Sequence, residues 1–232
     1  MPKPPFAVIV AIVVVACVFP AGASAQDQGS HWGVSGTVVP LWKVPTALGQ
    51  VMKADQIDFT GSELRVGVAR GRDLGGDWGV SFVRKTVKDG SRVVQHKENA
   101  PGNNFYLTQG VALTGVEAYK FVPFTTIRQR VQIGMNFGGG VATFRGSVES
   151  HEQKQSFTFD PATQRGTVTY REVVEMHDIS KEVDIKVLPL ARVEAAVAVL
   201  VAPGLKVRGT GGFNFPGYQV ASVSLVYLFG AR

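Results

Sequence analysis

Apolar and polar positions alternate with period two through much of the chain, and two stretches show it most clearly. Over residues 219–230, Ala221, Val223, Leu225, Tyr227 and Phe229 fall on one face of an extended strand, and Ser222, Ser224, Val226, Leu228 and Gly230 on the other. Over residues 130–138, Val131, Ile133, Met135 and Phe137 oppose Arg130, Gln132, Gly134, Asn136 and Gly138. The same period predicts six further strands, at residues 31–42, 62–70, 78–87, 105–119, 187–200 and 205–214. In residues 105–119 the apolar parity changes, because Val111 and Leu113 share one face while Val116 and Ala118 take the other, so a bulge is expected near Gly115.

Eight strands are thus expected, and the connections between them alternate in length. Residues 43–60 are long, with a helical turn expected around 47–53. Residues 71–76 are a tight glycine-rich turn, 88–104 are long, and 121–125, around Pro123, are a short turn. Residues 145–182 form the longest connection, strongly polar, with a hairpin expected from 156–159 and 167–170 around a turn at 160–163. Residues 201–204 and 215–217 are compact. Long connections at one end and short turns at the other fit an all-β, eight-stranded antiparallel up-and-down transmembrane β-barrel of the outer-membrane kind.

Each face then acquires an expected role. Trp32, Trp42, Trp78, Phe82, Phe137, Phe213, Tyr227 and Phe229 lie on the apolar faces and are expected to meet lipid or form the interfacial girdles. Glu63, Arg65, Arg130, Gln132, Asn136, Arg192, Glu194, Lys206 and Arg208 are expected inside. A barrel of this size is filled by its own side chains, so these residues read as a plug of ion pairs, with a proton or small-ion path as the alternative. A soluble lipocalin-like ligand-binding barrel is the rival architecture, with an apolar interior and a polar outside.

The start of the chain concerns the compartment. Met1-Pro2-Lys3, the apolar run over residues 6–18 and Ala23-Ser24-Ala25 form a secretory signal peptide, which makes 1–25 the cleaved segment and 26–232 one barrel domain in an outer membrane. The apolar run falls short of the roughly 20 residues a spanning helix needs. The single cysteine, Cys17, lies inside this run, so the alternative to cleavage after Ala25 is lipidation at Cys17. The formal net charge of +6 at pH 7 is spread along the chain rather than gathered into a basic stripe, so no nucleic acid partner is expected.

Residues for catalysis or metal binding are poorly placed. His177, Asp178 and Ser180, and the trio His151, Glu152 and His177, have suitable side chains, but His31, His96, His151 and His177 all sit at strand starts or in connections that hold no fixed geometry. No enzyme activity, cofactor or metal is expected. The 145–182 connection carries Glu149, Glu152, Asp160, Glu172, Glu175, Asp178 and Glu182 with Phe157, Phe159 and Tyr170, whereas Arg84, Lys85, Lys88, Arg92 and Lys97 gather around the 88–104 connection. Phe157, Phe159 and Tyr170 are the candidate interaction residues for a surface partner, because loops on a rigid scaffold carry recognition.

Strand pattern, signal peptide and closing aromatic strand together resemble the small OmpA/OmpX-like outer-membrane β-barrel proteins of Gram-negative envelopes. The resemblance implies contact with outer-membrane lipid, recognition of the closing strand by the barrel-assembly machinery, and a structural or surface-interaction role through the outer loops. A narrow channel or carrier for a small ion or apolar ligand is the alternative function. The chain departs from the family where Gly230-Ala231-Arg232 follow Phe229, the usual last residue being phenylalanine. No periplasmic cell-wall-binding domain is expected after the barrel.

Overall fold

The computed structural model describes residues 29–43, 56–95, 104–162, 164–179 and 187–231. They form β1 (His31–Lys43), β2 (Gln56–Asp58), β3 (Thr60–Gly71), β4 (Asp77–Val87), β5 (Arg92–Gln95), β6 (Asn104–Ile127), β7 (Val131–Asp160), β8 (Arg165–Asp178), β9 (Leu188–Ala202), β10 (Leu205–Phe215) and β11 (Gly217–Leu228). The signal segment with Cys17, the helical turn expected at 47–53, and His96, Lys97, Ser180 and Glu182 lie outside the described residues.

Eight strands close into an antiparallel ring. β1, β3, β4, β6, β7, β9, β10 and β11 each pair with the next of the set along the chain, and β11 returns to β1 from Gly33↔Leu228 to Lys43↔Tyr218. This all-β ring is compatible with a small β-barrel. At the long-connection end β6 and β7 run past the ring. There β2, β5 and β8 join them, giving an extension in the order β2-β5-β6-β7-β8.

Residue alternation sets the ring's polarity. Along β4, Asp77, Ser81, Val83 and Lys85 are buried while Trp78, Val80 and Phe82 are exposed. Along β9, Arg192, Glu194, Ala196 and Ala198 are buried while Val193, Val197 and Val199 are exposed. The inner face therefore holds the charges and the outer face the branched apolar residues, the reverse of a soluble sheet packed on its core.

Three expectations about the backbone are corrected. The turn placed at 121–125 is strand: β6 continues through Pro123 to Ile127, and the chain reverses at Arg128–Arg130, where Arg130 N–H donates to Ile127 C=O. Arg128 and Gln129 carry φ of 49° and 52° there, the left-handed pair that a type I′ hairpin turn needs and that glycine or asparagine usually supplies. Pro123 marks only a register shift, since it has no N–H for the ladder.

The strand at 130–138 does not end at Gly138-Gly139-Gly140 but runs on to Asp160. Nor is there a bulge near Gly115. The odd positions of β6 from Val111 through Leu113 and Glu117 to Phe121 all face inward, and the shift falls between Gln109 and Ala112, where Gly110 has φ 61° and Gly146 opposite has φ 123°. The apparent change of parity arises because the interior is apolar at one level and charged at the next.

Buried apolar clusters occupy that first level. Val39, Trp42, Val87 and Val111 pack with Phe59 and Ile179, and Val83, Leu113, Ala142 and Leu190 pack with Phe144 and Leu188. Ala69, Val226, Leu228 and Ala231 cluster at the short-turn end.

Candidate functional site

The interior between these apolar levels is an ion-pair network held by facing strands. Glu63 on β3 accepts from Arg65 Nε, lies 3.5 Å from Lys85 Nζ on β4, and accepts a 2.7 Å bond from Asn214 Nδ2 on β10. Glu194 on β9 is fully buried between Arg65 Nη2 at 3.7 Å and Arg192 Nη1 at 3.5 Å, and accepts from Asn136 Nδ2 at 3.0 Å. Arg192 also donates to Glu117 on β6. A second group lies towards the short turns, where Asp77 pairs with Arg208 and, at 3.4 Å, with Lys206. Lys206 donates to Arg72 C=O, and the Arg208 guanidinium lies 4.2 Å from the Phe121 ring centroid.

Of the polar residues expected inside, Glu63, Arg65, Gln132, Asn136, Arg192, Glu194, Lys206 and Arg208 are buried in this interior. Arg130 is not among them: it is exposed at the end of the Arg128–Arg130 turn, because the strand begins one residue later. Lys85, expected in a solvated basic connection, is 0% exposed, since its odd parity on β4 opposes that of Trp78 and Phe82. Asp77 and Glu117 join the network and carried the same parity signal. Gln219 did not, because the pairing of β11 shifts between Gln219 and Ser222 and turns Gln219 inward.

Trp32, Trp78, Phe82, Phe213, Tyr227 and Phe229 are exposed on the outer face, and Phe137 is half-buried. Trp32 meets Trp78 edge to face at 5.8 Å, and Tyr227 meets Phe229 at 5.5 Å, both near the short turns. Trp42, expected on the outer face with Trp32, points inward at 1% exposure. The register shifts between Val39 and Trp42 reverse the parity, and the indole N–H donates to Ser62 C=O at 3.2 Å.

Gly138 makes room for the central pair. A Cβ there would stand 2.8 Å from Arg192 Nε and 2.8 Å from Glu117 Oε1. Gly138→Ala is expected to cost about 1–3 kcal/mol through the forced shift of that pair. Gly36→Ala, whose Cβ would have nothing within 4 Å, is expected to stay within about 0.5 kcal/mol of the parent. Urea unfolding of the two variants checks the contrast.

The strand extension is the second candidate. On the β7–β8 hairpin the cross-strand pairs Phe157↔Val168, Phe159↔Gly166, Gln155↔Tyr170, His151↔Val174 and Glu149↔Met176 share one face. Phe157, Phe159, Val168, Tyr170, Val174 and Met176 are all exposed on it, with Phe157 at 66%. Phe157, Phe159 and Tyr170 thus come together as the sequence suggested. β8 ends the sheet order, so its outer edge is unpaired among the described residues. At the hairpin base His151 stacks on Phe105 at 4.3 Å, and the Arg92 guanidinium also lies 4.3 Å from that ring, joining the basic and acidic connections.

His151 is held on both ring nitrogens, by Glu172 at 2.8 Å and by Glu149 at 2.8 Å. These carboxylates, Glu172 first, raise its pKa above the ordinary 6.5. A group whose pKa rises on folding adds stability that is complete below its unfolded value and lost as pH climbs through the folded one. The ring-proton titration of His151 by NMR is therefore expected to have its midpoint above 6.5, with amide exchange at the hairpin base accelerating as pH passes that midpoint. Replacing both Glu149 and Glu172 by glutamine should return the midpoint to the ordinary range.

His177 and Asp178 are neighbours on β8, where successive side chains point to opposite faces, and Ser150 Oγ lies 3.3 Å from His177 Nε2. Among the described residues no group of three His, Cys, Asp or Glu side chains is placed to hold a metal ion, since Glu149 and Glu172 sit on opposite nitrogens of the His151 ring. No family model and no curated protein matches the chain.

Proposed function

We propose that the chain is an outer-membrane β-barrel protein with a structural or surface-interaction role, in which the ring spans the bilayer and the β2-β5-β6-β7-β8 extension stands outside it. The observation that carries this reading is the ring's polarity: nine buried acidic or basic side chains inside among the described residues, and Trp32, Val34, Val66, Val80, Phe82, Val197, Val223 and Leu225 exposed outside. Such a surface suits hydrocarbon, where a closed ring also satisfies every backbone group. The Trp32–Trp78 and Tyr227–Phe229 pairs lie where an interfacial girdle belongs, and β11 with its terminal aromatics would be the strand that the assembly machinery reads.

The interior favours a plug over a pore. Ion pairs cross it from β3 to β9 and from β4 to β10, and the apolar clusters around Trp42 and Leu190 fill the level beside them. A soluble ligand-binding barrel would instead place its apolar residues inside. The extension supplies the interaction surface, through the aromatic face of the hairpin or through strand addition at the β8 edge.

Gel mobility of material extracted from isolated outer membranes, with and without boiling, tests the reading. Faster migration before boiling is expected, and should persist when residues 156–170 are deleted, since the hairpin lies beyond the ring's own pairings. Recovery of the protein free in the periplasm, with no mobility shift, would overturn it.

A further inference from the structure

A narrow cavity lies within the ring, and its lining is chemically one-sided. Arg65, Arg192 and Arg208 line it with the hydroxyl-bearing Ser35, Ser81 and Ser224, and no carboxylate does so among the described residues. Each arginine already spends part of its guanidinium on an acid elsewhere: Arg65 on Glu63 and Glu194, Arg192 on Glu117 and Glu194, Arg208 on Asp77. Each also keeps one buried nitrogen without a hydrogen-bond partner among the described residues, namely Arg65 Nη1, Arg192 Nε and Arg208 Nε.

Charge bookkeeping points the same way. Among the described residues the buried carboxylates are Glu63, Asp77, Glu117 and Glu194, against Arg65, Lys85, Arg192, Lys206 and Arg208, so five basic side chains face four acids. An uncompensated charge held away from bulk water is strongly unfavourable. Water would satisfy the spare N–H groups but not the surplus charge. A large oxyanion would satisfy both but does not suit so narrow a space.

We propose that the ring interior binds one small monovalent inorganic anion of the halide class, held by guanidinium N–H groups of Arg65, Arg192 and Arg208 and by the serine hydroxyls around them. The site closes the charge balance of the network and ties its two halves, Glu63–Glu194 and Asp77–Arg208, to one ion. It depends on the interior geometry alone and stands whether or not the ring spans a membrane.

The test uses the full mature chain refolded in a non-ionic detergent, dialysed into sodium gluconate and titrated with sodium chloride or bromide at constant ionic strength. A saturable rise in the unfolding temperature is expected with both halides, about 5–10 °C at a concentration 100-fold above the dissociation constant. Bromide anomalous scattering in crystals should place one ion among the three arginines. Arg65→Gln, which removes the surplus charge, should abolish the halide response. Where that variant fails to refold, Ser81→Ala with Ser224→Ala should weaken the response several-fold at unchanged mobility before boiling. A gluconate curve coincident with the chloride curve, or bromide density elsewhere than the cavity, would overturn the proposal.

Discussion

Replacing Glu194 by leucine is expected to destabilise the refolded protein by about 3–5 kcal/mol, the largest loss for any single interior side chain. Glu194 touches two arginines, Arg65 and Arg192, while also accepting from Asn136, and its side chain is sealed from solvent. Leucine leaves Arg65 with Glu63 alone, Arg192 with Glu117 alone and one amide short of an acceptor. Removing one partner from a buried pair costs far more than exchanging the whole pair for apolar residues. The midpoint of urea unfolding in phospholipid vesicles, followed by tryptophan emission, measures the loss. Arg130→Met is the matched control, since Arg130 is exposed at a turn and should change the midpoint by no more than about 0.5 kcal/mol. A loss below about 1 kcal/mol for Glu194→Leu would mean that water enters the interior freely and screens the pair, in which case the network is no plug.

The network was legible from alternation wherever the ladder is regular. Along β3, β9 and β10 the period-two pattern assigns Glu63, Arg65, Arg192, Glu194, Lys206 and Arg208 to one face, and the structure buries that face. The pattern failed at three kinds of place. Register shifts at Val39–Trp42 and near Gln219 turned a tryptophan and a glutamine inward, and nothing in the local composition announces a bulge of that type. The Arg128–Arg130 turn uses φ values near +50° without glycine, asparagine or aspartate, so Pro123 drew the expected turn to itself. The third failure concerns the interior level of Val111, Leu113 and Val83, which is apolar. A rule that sends apolar residues outward misreads those positions as a change of parity.

The extension was less legible for a different reason. The hairpin expected around a turn at 160–163 showed its alternation and turn residues, and the structure lengthens it to the full Ser147↔Asp178 ladder. Its attachment depends instead on β6 continuing beyond the ring to pair Gln109 with Ser147, and on β5 reaching β6. These are contacts between distant segments, and a strand's own sequence does not specify its neighbour. The same limit applies to the His151 clamp, because Glu172 reaches His151 only through the register of β7 on β8.

Leu225→Arg is expected to cost about 1–3 kcal/mol in a bilayer, between the values for an arginine on the lipid face of a barrel at the midplane and at the interface. Leu225 is half exposed on β11, paired with Gly36 on β1 and Val207 on β10, one outward position in from Tyr227 at the short-turn end. The arginine would occlude nothing inside, since Leu225 and the buried Ser224 face opposite ways. Any loss therefore reports the solvent that the outer face meets. In water the same substitution on an exposed strand position should stay within about 0.5 kcal/mol. Leu74→Arg provides the internal comparison: Leu74 is exposed in the short connection between β3 and β4, outside the strands of the ring, and its replacement should be near neutral. Unfolding in vesicles of short-chain phosphatidylcholine measures both variants in one medium. A depth-dependent pair of values, large at Leu225 and small at Leu74, is what a lipid-embedded ring requires. Equal and small values would mean that the apolar exterior never meets hydrocarbon, and its exposed valines and aromatics would then have to be covered by another protein surface.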